Sequence, residues 1–171
     1  REKPHTVLDK RGAKGFGDEG RYLELRYGKL SVVSLYQPAG SAGPERQASK
    51  DRFLQFFLPK LREWIASGRD YVICGDWNIA HKNIDLKNWK SNQKNSGFLP
   101  NDSAWLTGVL ENNGWKDAYR CLYPDKEGEA ENGGRKRGRG RSDLSRGWWA
   151  WPRSGEDLCS HVERGNKDLR L

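Results

Sequence analysis

Apolar residues are in short supply in this 171-residue chain: they make up 35% of it, and charged residues 32%. A chain of this length suits one domain, but so few apolar side chains cannot build a core that enlists all of it. No apolar run reaches the length needed to cross a bilayer and no leader pattern is visible, so the expectation is a soluble protein with no membrane partner. Cysteine is sparse as well. Cys74, Cys121 and Cys159 are an odd set without zinc-site spacing, which fits a reducing, cytoplasmic setting better than a disulfide framework. No internal repeat is present. Acid is the remaining deficit: 23 Asp and Glu against 31 Lys and Arg leave a net charge of +8. That balance favours a polyanionic partner, nucleic acid ahead of an anionic surface, over a charge that merely aids solubility.

What is there divides into two unlike parts. In residues 20–124, Leu23, Leu25 and Tyr27 alternate with Tyr22, Glu24 and Arg26, the period of a half-buried strand. Gly28-Lys29 then offers a two-residue turn into Leu30–Tyr36, and a hairpin is expected. Phe53, Phe57, Leu61, Trp64 and Ile65 recur at helical spacing, with Gly68 as a stop and Pro59 as an interruption that kinks the helix. A buried strand at 71–74, a polar loop and a helix near 102–113 ended by Gly114 complete an α/β layered arrangement. Residues 125–171 differ. "PDKEGEAENGGRKRGRGRSDLSRG" is acidic and then rich in Gly and Arg with no apolar period, so a poorly ordered basic tail is expected. Its Arg-Gly run at 133–141 could grip a nucleic-acid backbone or stay solvated. "GWWAWPR" at 147–153 is left open between packing and loose association.

The densest chemistry lies in "CGDWNIAHKNIDLKNWKSNQKNSG", residues 74–97. Gly75 lets the chain turn as the strand ends and leaves Asp76 and Asn78 at the carboxyl edge of the sheet, where open α/β sheets hold ligands. Residues two apart on an extended segment point the same way, so a carboxylate and a carboxamide could meet one target. The pair suits a phosphodiester, with the carboxylate on a metal or a water and the amide donating to a phosphoryl oxygen. Asp and Asn after a strand are also common turn formers, and that reading stands beside the chemical one.

"VICGDWNIAHKNIDLKNWKSNQKNSGFLP" resembles the central motif of the exodeoxyribonuclease III family, in the endonuclease/exonuclease/phosphatase superfamily. "GRYLELRYGKLSVVSLYQPAGS" resembles the hairpin that precedes it, "FLPNDSAWL" extends it, and "GWKDAYRCLYP" resembles the segment that follows. The likeness covers residues 1 to about 124, with the first 19 matching loosely. The resemblance implies a DNase I-like four-layer α/β sandwich, of which this chain would hold a part. It implies phosphodiester hydrolysis on double-stranded DNA at 3′ ends and abasic sites, with Mg²⁺ or Mn²⁺ as cofactor, by a protein that is monomeric when complete. Tyr36 would sit against the scissile phosphate. Asp76 would act on the attacking water or as proton donor, Asn78 would hold the phosphate, and both would touch the metal. Asn88, Lys90, Asn92, Lys94 and Asn95 would lie on a DNA-facing loop that positions the backbone without reading bases.

Other residues of the stretch carry plainer readings. His81 is expected to be structural, and Asp85 to serve the hydrogen bonds of its own loop. Trp77, Trp89, Trp105 and Trp115 are expected to pack rather than stack on bases. The family pattern also brings a metal-binding glutamate from strands upstream, a second aspartate and a closing aspartate–histidine pair. No stretch here matches them, and Asp157, His161 and Asp168 sit in unrelated contexts. The sequence therefore supports a fragment-like DNA-repair nuclease with little activity of its own, with residues 125–171 unrelated to the family. The competing reading is a non-catalytic nucleic-acid-binding module that uses the motif loop and the Arg-Gly run.

Overall fold

The computed structural model describes residues 3–9, 19–127 and 146–151. The first strands form where the alternation is clearest. β1 (Thr6–Leu8), β2 (Tyr22–Tyr27) and β3 (Leu30–Tyr36) pair antiparallel in sequence. The β2–β3 hairpin closes at Tyr27 and Leu30, and Gly28 takes the φ of 50° that a two-residue turn of this kind requires.

A 23-residue helix, α1 (Pro44–Ala66), follows and leads into β4 (Asp70–Asp76). Pro44 opens it from Gly43, at a position whose missing N–H would have no helical partner in any case. The helix runs through Pro59 as one element, so the expected interruption does not occur. Ser67 bonds back to the Trp64 carbonyl at 2.6 Å, and Gly68, at φ 67°, turns the chain out of the helix.

β4 runs parallel to β3, joined to it through α1, and sits at the centre of a six-stranded sheet of order β1-β2-β3-β4-β6-β5. The sheet beyond β4 is completed by β5 (Lys116–Asp117) and β6 (Arg146–Trp151). β6 comes from the stretch expected to be a poorly ordered tail, yet it pairs along the whole of Tyr71–Asp76. The Trp-rich segment has the aromatic bias of a strand, and a central strand with one free edge gives its backbone somewhere to pair. Tail positions 128–145, with the Arg-Gly run at 133–141, and 152–171 lie outside the described residues.

The core lies between one sheet face and α1. Val33, Leu35, Tyr71 and Ile73 meet Phe53, Leu54, Phe57, Leu61 and Trp64, all of them buried. Trp64 stacks on Tyr71 with ring centroids 4.9 Å apart, and Phe57 meets it edge-on at 5.6 Å. Removing a ring such as Phe57 from this cluster would cost about 3–5 kcal/mol. Trp77 and Trp115 are also buried here, and Trp105 leans on Trp77 while donating to the Leu54 carbonyl at 3.2 Å. Three of the four expected packing tryptophans thus belong to the core; Trp89 instead lies on the loop, beneath the Lys90 ammonium at 5.7 Å. The expected helix near 102–113 is α3 (Pro100–Thr107), continued by a wider π-helical turn at Gly108–Asn112 and released at Gly114, φ 72°. The arrangement is mixed α/β, with helices covering one face of a single sheet among the described residues.

Candidate active site at the carboxyl edge of the sheet

Gly75 decides the geometry of this edge. Its φ is 140°, and a Cβ placed on it would stand 1.8 Å from the Leu35 carbonyl oxygen, so only glycine lets β4 close on β3 here. The next pair across the ladder is Tyr36 and Asp76, each the last residue of its strand. Gln37 carries the ladder one bond further, its N–H donating to the Asp76 carbonyl at 2.9 Å. Tyr36 is 48% exposed, with the Arg21 guanidinium 5.1 Å from its ring centroid, and Asp76 is half-buried. A phenol, a carboxylate and a cation therefore share one open rim.

Asn78 is fixed from three directions. Among the described residues it is the one non-glycine with a positive φ, 49°. Its N–H donates to Asp76 Oδ1 at 2.9 Å, closing a tight turn around the carboxylate. Its side-chain Nδ2 donates to the Gln37 carbonyl at 2.8 Å. One amide hydrogen is thereby committed to the loop after β3. The Asn78 carbonyl accepts from Lys50 Nζ at 3.0 Å.

Lys50 and Asp102 are the residues that sequence reading missed. Both are buried, with Nζ 3.1 Å from Asp102 Oδ2, and Oδ2 also accepts from the Gly97 N–H at 2.8 Å. Burial pulls the Lys50 pKa below its ordinary value, while the Asp102 charge and hydrogen bond pull it back up. The available signal was position: Lys50 falls in the buried stripe shared by Leu54, Phe57, Leu61 and Trp64, where a charge is out of place.

The loop from 82 to 97 leaves the site and returns to it. Lys82 N–H donates to Asp85 Oδ2 at 2.7 Å, as expected of a residue that serves its own loop. Asp85 Oδ1 also takes the Arg120 Nε at 2.7 Å, which ties the loop to α4 (Ala118–Leu122). Asn88, Lys90, Lys94 and Asn95 are exposed. Asn92 is not. It is 6% exposed within the short helix α2 (Trp89–Asn92), its Nδ2 donating to the Asn88 carbonyl at 2.8 Å and its Oδ1 accepting from Asn95 at 2.7 Å. Its amide is engaged within the loop, on an Asn88 carbonyl that also accepts from Ser91 and on Asn95, so Asn92 is not the outward-facing side chain that the loop's polarity suggests. Beside the loop, a cleft of about 620 Å³ is lined by Gly40, Gln47, Lys94, Asn95, Ser96 and Leu99 among others.

His81 bonds Thr107 Oγ1 through Nε2 at 2.9 Å, which anchors the loop to α3 as a structural histidine would. Burial lowers its pKa, and the Lys82 charge adds to that. Asp117 accepts from Arg120 N–H at 3.0 Å and caps α4, while burial raises its pKa.

Among the described residues no group of three or more His, Cys, Asp or Glu gathers as a metal site. A hard divalent cation is often held by one or two carboxylates, with water and substrate phosphate completing its shell. Asp76, whose Oδ1 already takes the Asn78 N–H at 2.9 Å, fits part of such a shell and no more.

The chain is 33% identical over 128 residues to an exodeoxyribonuclease of Bacillus subtilis (strain 168), covering 75% of this chain and 50% of that protein. It is 35% identical over 133 residues to a DNA-(apurinic or apyrimidinic site) endonuclease of Dictyostelium discoideum, covering 75% of this chain and 36% of that one. It thus spans half the length, or less, of these relatives. Among solved structures, an AP endonuclease from Archaeoglobus fulgidus superposes with a TM-score of 0.73 at 22% identity, over 87% of this chain and 59% of that one. The 3′ phosphatase NExo from Neisseria, a point variant bound to a product DNA hairpin, gives 0.71 at 19% identity over 89% and 60%. These establish the DNase I-like fold. The Endonuclease/Exonuclease/phosphatase family matches residues 4–157, past the limit of 124 read from the motifs and through β6. With the β3–β4 edge, its motif loop and a match of that extent, the chain belongs to the Endonuclease/Exonuclease/phosphatase family.

Proposed function

We propose that this chain carries part of the reacting centre of a DNA-repair nuclease, acting on double-stranded DNA at abasic sites and 3′ ends in the cytoplasm. The observation that carries the reading is the pairing of Tyr36 with Asp76 at the carboxyl edge, with Asn78 folded against that carboxylate. Relatives whose names give the same chemistry, an exodeoxyribonuclease and an abasic-site endonuclease, support it.

In this reading the exposed cations and amides of the loop seat the phosphate backbone, chiefly Lys90, Lys94, Asn88 and Asn95. Such contacts set register and carry no sequence preference, as a damage-directed enzyme requires. The Tyr36 hydroxyl and the second Asn78 amide hydrogen would donate to non-bridging phosphoryl oxygens, where negative charge grows during hydrolysis. The Asp76 carboxylate takes a proton from the attacking water or, once protonated, gives one to the leaving oxygen. Bound Mg²⁺ or Mn²⁺ would neutralise phosphate charge and acidify water, with Asp76 and Asn78 as its protein ligands.

This set is partial. None of the described residues gathers into a fuller metal shell, and groups that act as a unit lose most of their effect when one is absent. Low turnover by the 171-residue chain alone is the expected result. The same thin donor set is what favours the second reading, a module that binds nucleic acid without cutting it. Incision of an abasic duplex in Mg²⁺, compared between the wild-type chain and Asp76→Asn, separates the two. Mg²⁺-dependent product that disappears in the variant supports the nuclease, whereas binding with identical traces from both proteins supports the module.

A further inference from the structure

Lys50 is joined to three parts of the fold at once. Its own helix, α1, packs in the core; its ammonium lies 3.0 Å from the Asn78 carbonyl and 3.1 Å from Asp102 Oδ2. Asp102, in the first turn of α3, passes the connection on to the Gly97 N–H at 2.8 Å. Gly97 closes the loop that carries Asn88, Lys90, Lys94 and Asn95, and its carbonyl accepts from Ala80 N–H at 2.8 Å. A Cβ on Gly97 would stand 2.8 Å from the Asn78 carbonyl oxygen, so the two backbones are already in contact.

Stability does not call for this arrangement. A buried ion pair is commonly neutral or worse against apolar residues of the same size. The neighbouring stripe positions are Phe53, Leu54 and Phe57, and an apolar residue at 50 would continue the pattern. The left-handed backbone at Asn78, by contrast, is intrinsically unfavourable by about 1 kcal/mol and needs outside contacts to hold it.

We propose that Lys50 and Asp102 form a positioning pair that sets the Asn78 backbone and the base of the 82–97 loop together. The amide at the reacting centre and the cations that meet the DNA backbone then keep one fixed separation. Neither residue touches substrate. The proposal rests on the reading of the site given above, in which Asn78 and the loop meet the same duplex.

Lys50→Met alone leaves Asp102 charged and buried, and such a protein can simply unfold. The double variant Lys50→Met/Asp102→Asn removes both charges, keeps an acceptor for Gly97 N–H and loses the tie to Asn78. Three quantities are read on the full chain: thermal melting, amide exchange, and anisotropy of a labelled duplex with a tetrahydrofuran abasic analogue. The double variant is expected to melt well above Lys50→Met, with Ala80 N–H exchanging at least tenfold faster and amides of β3 unchanged. Its affinity for the duplex is expected to fall at least fivefold. A double variant that melts no higher than Lys50→Met makes the pair a stability element and overturns the proposal. Wild-type exchange at Ala80 overturns it, and so does wild-type affinity alongside faster exchange. If the wild-type chain itself fails to bind the duplex, the reading of the site fails, and exchange at Ala80 alone then decides the coupling.

Discussion

Tyr36 and Asp76 face each other across the parallel ladder of β3 and β4, both at the carboxyl end of their strands. Forty residues apart in sequence, they are brought together by one helix and one glycine. Tyr36 is exposed and bears little of the core, so Tyr36→Phe should change stability by no more than about 0.5 kcal/mol. The same change should weaken binding of a duplex with a recessed 3′ end. Denaturant unfolding and anisotropy on one sample measure both, and a large loss of stability would show that the phenol serves the fold.

Gly75→Ala should do the opposite. With Leu35 backbone atoms at 1.8–3.0 Å from the added carbon, the two strands must separate at the point where the site is assembled. The expected cost is about 3 kcal/mol or more, read as a shift in the urea midpoint. A variant with the wild-type midpoint would mean that β4 can bend away cheaply there.

Asn92 and Lys94 are two residues apart and should behave differently. Asn92→Ala removes a buried amide that bonds Asn88 and Asn95, so it should destabilise by about 1–3 kcal/mol. Lys94→Ala should leave the melt unchanged and lower the salt dependence of duplex binding by about one in the log–log slope. Equal effects of both changes on melting would contradict the division between loop frame and loop surface.

His81 gives a pH signature. Burial holds its folded pKa below 6.5, so as the pH falls through 6.5 the unfolded chain takes up the proton first. Its contribution to stability is therefore complete above that pH and is lost below it. His81→Gln should flatten the fall in melting temperature between about pH 7 and pH 5. An unchanged slope would place the titrating group elsewhere.

The sequence made the hairpin, the long helix, β4 and the polar loop legible because each repeats a local period or ends on a glycine whose φ demands it. The same logic put Asp76 and Asn78 at the carboxyl edge, since a strand end can be read from where an apolar run stops, whereas Tyr36 was singled out only by the family resemblance. Lys50 was hidden because a lysine at a buried helical position is read as exposed until its partner is known, and Asp102 lies 52 residues away. The burial of Asn92 was not legible because polarity signals an exposed loop, whereas a side chain that bonds its own neighbours is equally polar and turns inward. β6 was obscured for a related reason: its paired positions on β4 lie 70 to 80 residues away, and the Gly- and Arg-rich run before it carries no period at all.

The central claim is that Asp76 and its neighbours form a reacting centre for DNA. The most direct test exchanges the matched 128-residue segment of the bacterial exodeoxyribonuclease relative for the corresponding segment of this chain and assays the folded chimera on an abasic duplex in Mg²⁺. The account predicts metal-dependent incision that falls by orders of magnitude in Asp76→Asn with no change in melting. A cooperatively folded chimera that cuts equally well with Asp76→Asn, or that binds the duplex and never cuts it, would contradict the account.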